Sequence, residues 1–234
     1  MIDLKQDKFE SLAKKVKTKF KNLKLIEQGF IHRSYLNEVK NVPESNERLE
    51  FLGDSILSFL VSSYLYKSYP QISEGELTNL RSSIVKTTTL AQVAKELKLG
   101  EYLLLSRGEE ESGGRGNPSI LADTFEAFLG ALYLDLNLAA VNKILSSFLF
   151  PLLPKILAEK TYKDAKSIFQ EHVQDETKIS PIYKVLSAKG PDHAKEFTVG
   201  VYVGVKLCGT GVGKSKQEGE MRAAQAALEK WNKK

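Results

Sequence analysis

The hydrophobic pattern of this 234-residue chain changes period near residue 160, and no single motif restricts the fold as much. Up to about residue 157, apolar residues recur at three-to-four spacing, as from Ile56 to Tyr66 and from Leu90 to Leu99. That is the pattern of helices with one buried face. Breaks fall at Asn41 to Ser45, at Tyr69 and Pro70, at Gly100 and across 108–118. Further on, Phe197, Val199, Val201, Val203, Val205 and Leu207 alternate with Thr198, Gly200, Tyr202, Gly204 and Lys206. A period of two held that long predicts a strand pair, or a strand and its turn. Ile182 to Leu186 reads as an earlier strand ended by Gly190 and Pro191, with a helix over Asp164 to Asp175 before it. Met221, Ala224, Ala227, Leu228 and Trp231 form the stripe of a last helix. The expected chain is therefore multidomain. An all-α domain spans 1–157, a linker 158–163, and a small α+β domain of order α-β-β-β-α spans 164–234. Pro151 and Pro154 mark the approach to the boundary.

Hydrophobic content of 42% and charged content of 27% place the chain among globular proteins rather than disordered ones. The single Cys208 excludes an intramolecular disulfide and fits a reducing cytosol. Met1 to Lys8 lacks the apolar core of a signal peptide, and the apolar stretch Ile144 to Leu157, broken by its prolines, reads as too short to span a bilayer. A soluble cytoplasmic protein without a membrane partner is expected. Charge is segregated along the chain: residues 1–24 hold 8 Lys and 3 acids, 25–160 hold 13 basic and 17 acidic residues, and 161–234 hold 13 and 9. An acidic middle between basic ends suits a metal-dependent centre whose flanks attract a polyanion.

Within Asn46 to Ser55, Glu47, Glu50 and Asp54 fall at i, i+3 and i+7, so three carboxylates share one helix face beside Leu49, Leu52, Ile56 and Leu57. Alone, such a group reads equally as a solvated acidic face or as the side of a cation site. A second cluster favours the cation. Asp123 and Glu126 are i, i+3 inside an apolar helix with Leu121, Ala122, Phe125, Ala127 and Phe128, and Ser119 is the expected N-cap. Acids buried there need a partner. Carboxylates without His or Cys at zinc spacing point to a hard divalent ion, Mg²⁺ above all.

Four strings, Ile31 to Tyr35, Asn46 to Ser55, Gly108 to Arg115 and Ser119 to Asp135, resemble those of bacterial ribonuclease III in order and spacing. The resemblance implies a dimeric, Mg²⁺-dependent endonuclease (Mn²⁺ as a possible substitute) that cuts double-stranded RNA. Products would carry 5′-phosphate and 3′-hydroxyl ends with short 3′ overhangs. Substrates would be ribosomal, messenger and transfer RNA precursors and other structured transcripts. It implies Glu50, Asp123 and Glu126 as metal ligands, Asp54 and Glu126 as catalytic residues, and Glu47 and Glu74 as supporting acids. It also puts Phe51 in the homodimer interface. All six family acids are present, which weighs against the alternative of a non-catalytic double-stranded-RNA-binding protein on a nuclease scaffold. His32 reads as a hydrogen-bonded packing residue, and the loop Gly113 to Gly116 as either a connector or an RNA-contacting segment.

The second domain is similar to the double-stranded RNA-binding domain in the strings Ser167 to Gln174, Gly190 to His193 and Gly211 to Leu228. Such domains read A-form shape. The resemblance puts Gln170 and Glu171 in one minor groove and His193 in the next, with Lys214, Lys216 and the last helix's N-terminus on the phosphates between. Gln217 stands where the family usually has a second lysine, and Gly219 sits in the last helix, where it costs about 1 kcal/mol relative to Ala. Weaker RNA binding with a shallower salt dependence is expected, readable from a binding titration across salt.

Overall fold

The computed structural model describes residues 6–40, 44–158, 165–191 and 195–231. The chain forms two compact units, Met1–Tyr162 and Lys163–Lys234. The described part of the first holds nine α-helices: α1 (Gln6–Lys15), α2 (Leu23–Gln28), α3 (Glu47–Ser68), α4 (Glu74–Ile84), α5 (Thr87–Glu96), α6 (Arg107–Glu111), α7 (Pro118–Asp135), α8 (Leu138–Ile144) and α9 (Leu153–Ala158). Short 3₁₀ turns join several of them, and Ile31 and Leu104 form one isolated parallel bridge.

Helix α7 is apolar nearly all round, as a helix at the centre of a bundle must be. Phe125, Phe128, Leu129 and Leu132 are fully buried, and α3 and α5 pack against it. Phe128 joins an aromatic group with Phe30 and Phe20 at centroid distances of 6.0 and 6.1 Å, and Phe30 continues it to Phe9 and Tyr102 at 5.5 Å each. The N-cap of α7 is Asn117, whose side chain accepts from Ser119 N–H, while Pro118 takes the first turn. The cap thus lies two residues before the expected Ser119, because proline fills the first helical position.

Residues 138–158 form one continuous helical run, longer than the prolines suggest, with mean hydropathy 1.3. Pro151 falls in a 3₁₀ turn and Pro154 in the first turn of α9, where a missing N–H costs little. The run is long and apolar enough to cross a bilayer. However, Val141, Ile144, Leu145, Leu149 and Leu153 form a single stripe buried in this unit's core, while Asn142, Lys143, Ser146 and Ser147 are exposed. That is the pattern of an amphipathic core helix.

The loop before α7 is tied down. Arg115 donates through Nη1 to the carbonyls of Gly100 and Leu103 at 3.0 and 2.8 Å, and through Nε and Nη2 to Glu110 at 2.5 and 2.9 Å. Its guanidinium is engaged within the unit.

The second unit consists of α10 (Ala165–Thr177), β1 (Ile182–Lys189), β2 (Glu196–Val203), β3 (Lys206–Gly213) and α11 (Lys216–Trp231), the order read from the sequence. The strands form an antiparallel sheet in the order β1-β2-β3. Its core is Phe169 and Val173 from α10, Val201 and Cys208 from the sheet, and Ala223, Ala224, Ala227 and Leu228 from α11. Strand β3 runs on past Leu207, where the alternation stops, through Gly209, Gly211 and Gly213. The glycines are there because α11 lies directly on the strand. A Cβ on Gly209 would stand 2.4 Å from the Ala223 carbonyl oxygen, and one on Gly211 2.3 Å from Ala223 N. Gly219 closes the same interface, since a Cβ there would approach Val199 Cγ2 to 2.7 Å. Its low helix propensity is therefore accompanied by a fit that alanine could not make without moving Val199.

Candidate metal centre

Asn46 fixes the start of α3. It does not cap the helix with its side chain; its Nδ2 donates to Gly29 O at 3.3 Å and its backbone N–H to Ile31 O at 2.8 Å. Both bonds hold the helix start against the segment that carries His32. Ser45 Oγ donates to Glu47 Oε2 at 2.8 Å, and Arg33 lies 3.9 Å from the same carboxylate's other oxygen, so Glu47 is engaged at the edge of the site.

Farther along, α3 meets α7 at two glycines. A Cβ added to Gly53 would fall 1.8 Å from the carbonyl oxygen of Glu126, and one added to Gly130 2.2 Å from that of Leu49. The two backbones are in contact there. This crossing brings Glu50, one turn before Gly53, to Asp123 and Glu126 on α7: carboxylate oxygens of the three lie within 4.8 Å of one another. No other group of this kind is found among the described residues.

The electrostatics are those of anions confined without enough cation. Burial raises the Glu126 pKa to about 8, reinforced by Asp54, Asp123 and Glu50. Burial also raises Glu50, with Asp123, Glu47 and Asp54 adding to it. Asp123 is raised by burial and partly relieved by His32. Asp54 thus stands close enough to repel both Glu50 and Glu126, though outside the cluster of three. A hard divalent ion fits such a group, since it supplies the missing charge and takes carboxylate oxygen alone.

Glu74 is not part of this cluster. It is exposed at the first position of α4, accepts from Thr78 Oγ1 at 3.3 Å, and follows Ser73, which caps the helix. His32 is hydrogen-bonded as expected: its Nδ1 accepts from Ser34 N–H at 3.3 Å and lies 2.8 Å from Ser34 Oγ. Its electrostatic reach to Asp123 is something the sequence did not indicate. Asn46, Gly53 and Gly130 were likewise unassigned, although glycine in the middle of two well-formed helices is itself a signal of close approach.

Phe51 is 77% exposed on α3, and Phe59 at 60% and Tyr66 at 75% lie eight and fifteen residues on, along the same helix face. In the second unit Gln170 is exposed on α10, and Glu171 beside it is half-buried and engaged. His193 lies outside the described residues. Lys214 and Lys216 are exposed at the start of α11. There Glu218 accepts from Lys214 N–H at 2.8 Å and pairs with Arg222 at 2.6 Å, while its own N–H donates to Ser215 Oγ at 3.1 Å. The acid at the mouth of the helix is thereby turned inward.

Fold and site together define a class: a helical bundle with a carboxylate site between two crossed helices, in one chain with an α-β-β-β-α unit. Residues 22–153 match the Ribonuclease-III-like family and residues 165–231 the double-stranded RNA binding motif. The chain belongs to the ribonuclease III family. It is 45% identical to Ribonuclease 3 of Bacillus licheniformis over 234 residues, covering 100% of this chain and 94% of that one. Against Ribonuclease 3 of a Geobacillus species it is 49% identical over 224 residues, covering 95% and 91%. The solved nuclease domain of ribonuclease III from Campylobacter jejuni is similar at 35% identity and TM-score 0.57, covering 61% of this chain and 99% of that one; it was described for a flexible region involved in dimer formation.

Proposed function

We propose that this chain is a divalent-metal-dependent endoribonuclease that cuts double-stranded RNA to 5′-phosphate and 3′-hydroxyl ends. The observation that carries the reading is the carboxylate triad Glu50, Asp123 and Glu126, held between α3 and α7 in a chain that also bears a double-stranded RNA binding motif. These three residues would hold the ion, Mg²⁺ by preference and Mn²⁺ in its place. When bound, the ion supplies charge neutralisation at the phosphate and a lowered pKa for attacking water. Asp54 and Glu126 are assigned the catalytic roles; the raised pKa of metal-free Glu126 marks a carboxylate that gives up its proton when the ion binds. Glu47, at the edge of the site, and Glu74 are assigned supporting roles. In the second unit Gln170, Glu171 and His193 are assigned to the minor grooves and Lys214 and Lys216 to the phosphates. Ribosomal RNA precursors and other structured transcripts are the substrates this reading implies, in the cytoplasm. Residues 158–163 serve as the linker between domains 1–157 and 164–234.

The test is cleavage of a perfectly paired RNA duplex. Short duplex products with 5′-phosphates in Mg²⁺, none in excess chelator and none from a single strand of the same sequence are expected. Binding of duplex without cleavage under any divalent ion would hand the chain to the non-catalytic alternative.

The exposed α3 stripe implies a homodimer built across this helix, with two sites acting on opposite strands a short stagger apart. Phe51→Asp combined with Phe59→Asp is expected to give a monomer by light scattering that has lost staggered double-strand cleavage. A dimer surviving both substitutions would place the interface elsewhere.

A further inference from the structure

We propose that Gly53 and Gly130 are positioning residues for the metal centre, setting the separation of α3 and α7 and through it the spacing of Glu50, Asp123 and Glu126. The inference rests on the metal-site reading above. Glycine is, after proline, the poorest helix former, yet both sit in the interiors of long helices. Both would collide with backbone rather than with a side chain that can swing away. Gly53 would strike the carbonyl of Glu126, one of the assigned ligands, at 1.8 Å, with Gly130 N only 3.1 Å away. Gly130 in turn would strike Leu49 O at 2.2 Å, with Gly53 N at 3.2 Å. The contact is thus reciprocal, and it lies within about one turn of Glu50, Asp54 and Glu126.

Real Cβ atoms essentially never approach another heavy atom closer than 3.0 Å, so the helices must part there by roughly an ångström. Mg²⁺ demands near-ideal octahedral geometry with short oxygen distances, whereas Ca²⁺ accepts longer and more irregular ones. A widened crossing therefore changes which ion fits, an effect that mere loss of stability does not produce.

The experiment follows Mn²⁺ binding to the full chain by electron paramagnetic resonance, with Mg²⁺ and Ca²⁺ as competitors, for wild type, Gly53→Ala, Gly130→Ala and Leu149→Ala. The last opens a core cavity at a residue carried by neither α3 nor α7 and serves as a control for lost stability. Both glycine variants are expected to weaken Mg²⁺ by about tenfold or more relative to Ca²⁺, in the range that support residues command, while Leu149→Ala keeps the wild-type ratio. An unchanged ratio in a folded glycine variant overturns the proposal. Failure of both to fold overturns it too, by assigning the glycines to folding rather than to spacing. A wild type lacking a saturable Mn²⁺ site that Glu126→Gln removes would instead bring down the metal-site reading itself.

Discussion

Glu126→Gln is expected to lower duplex cleavage by on the order of 10³-fold or more at saturating Mg²⁺, with duplex binding kept within about twofold. The amide fills the same space but brings no negative charge to the ion. The same substitution has a second readout, without RNA. In metal-free wild type the folded Glu126 holds its proton up to about pH 8, whereas the unfolded chain releases it in the ordinary carboxylate range. Below that range the group is protonated in both states and costs nothing. As pH rises from there through about 8, the fold steadily loses stability, and Glu50 and Asp123 act in the same direction. Thermal unfolding in chelator should therefore show a melting temperature that falls from pH 5 to 8.5. Glu126→Gln should flatten that slope, and Mg²⁺ should restore the wild type but not the variant. A wild-type melting temperature that rises over the same interval would overturn the account.

Gly211→Ala is expected to lower the melting temperature of the second unit by about 10 °C while leaving the helical unit's transition in place. The added Cβ would stand 2.3 Å from Ala223 N, 2.5 Å from Gly219 O and 2.6 Å from the Arg222 carbonyl carbon, all backbone. Helix α11 must lift from β3, and overpacking of this kind costs about 1–3 kcal/mol. In a domain of this size each kcal/mol moves the transition by about 4–8 °C. Because α11 carries Lys216 and follows Lys214, duplex affinity should fall near the new transition, while the melting response to Mg²⁺ stays as in wild type. Two transitions that move together would show that the units do not unfold separately.

These two sites differ in how far they could be read beforehand. Asp123 and Glu126 stood out because carboxylates in an apolar helix demand compensation, and Glu50 because like charges on one face demand the same. The helix order, the three strands and the last helix followed from hydrophobic period, which reports burial directly. What escaped was whatever depends on two elements meeting. Gly53 and Gly130 have meaning only when α3 is laid against α7. The alternation stopped at Leu207, short of the β3 glycines, because strand propensity expresses packing on a pleated surface, and here a helix backbone takes the place of side chains. Gly219 looked like a defect of the helix until Val199 was seen filling the space a methyl would need. Ser119 lost its role as cap to Asn117 by the presence of Pro118, and Phe59 and Tyr66 joined Phe51 only because α3 leaves all three rings exposed.

The chain holds one tryptophan and one cysteine, and both fall in the second unit. The Trp231 ring packs edge-on against Phe169 at 5.5 Å with its Nε1–H on Glu176, and the Cys208 thiol lies buried on β3. Nature has thereby placed two intrinsic reporters in one unit and none in the other. Indole fluorescence and the rate at which a thiol reagent reaches Cys208 both time the opening of the RNA-binding unit, in the intact chain and during turnover, free of any signal from the bundle that holds the carboxylates.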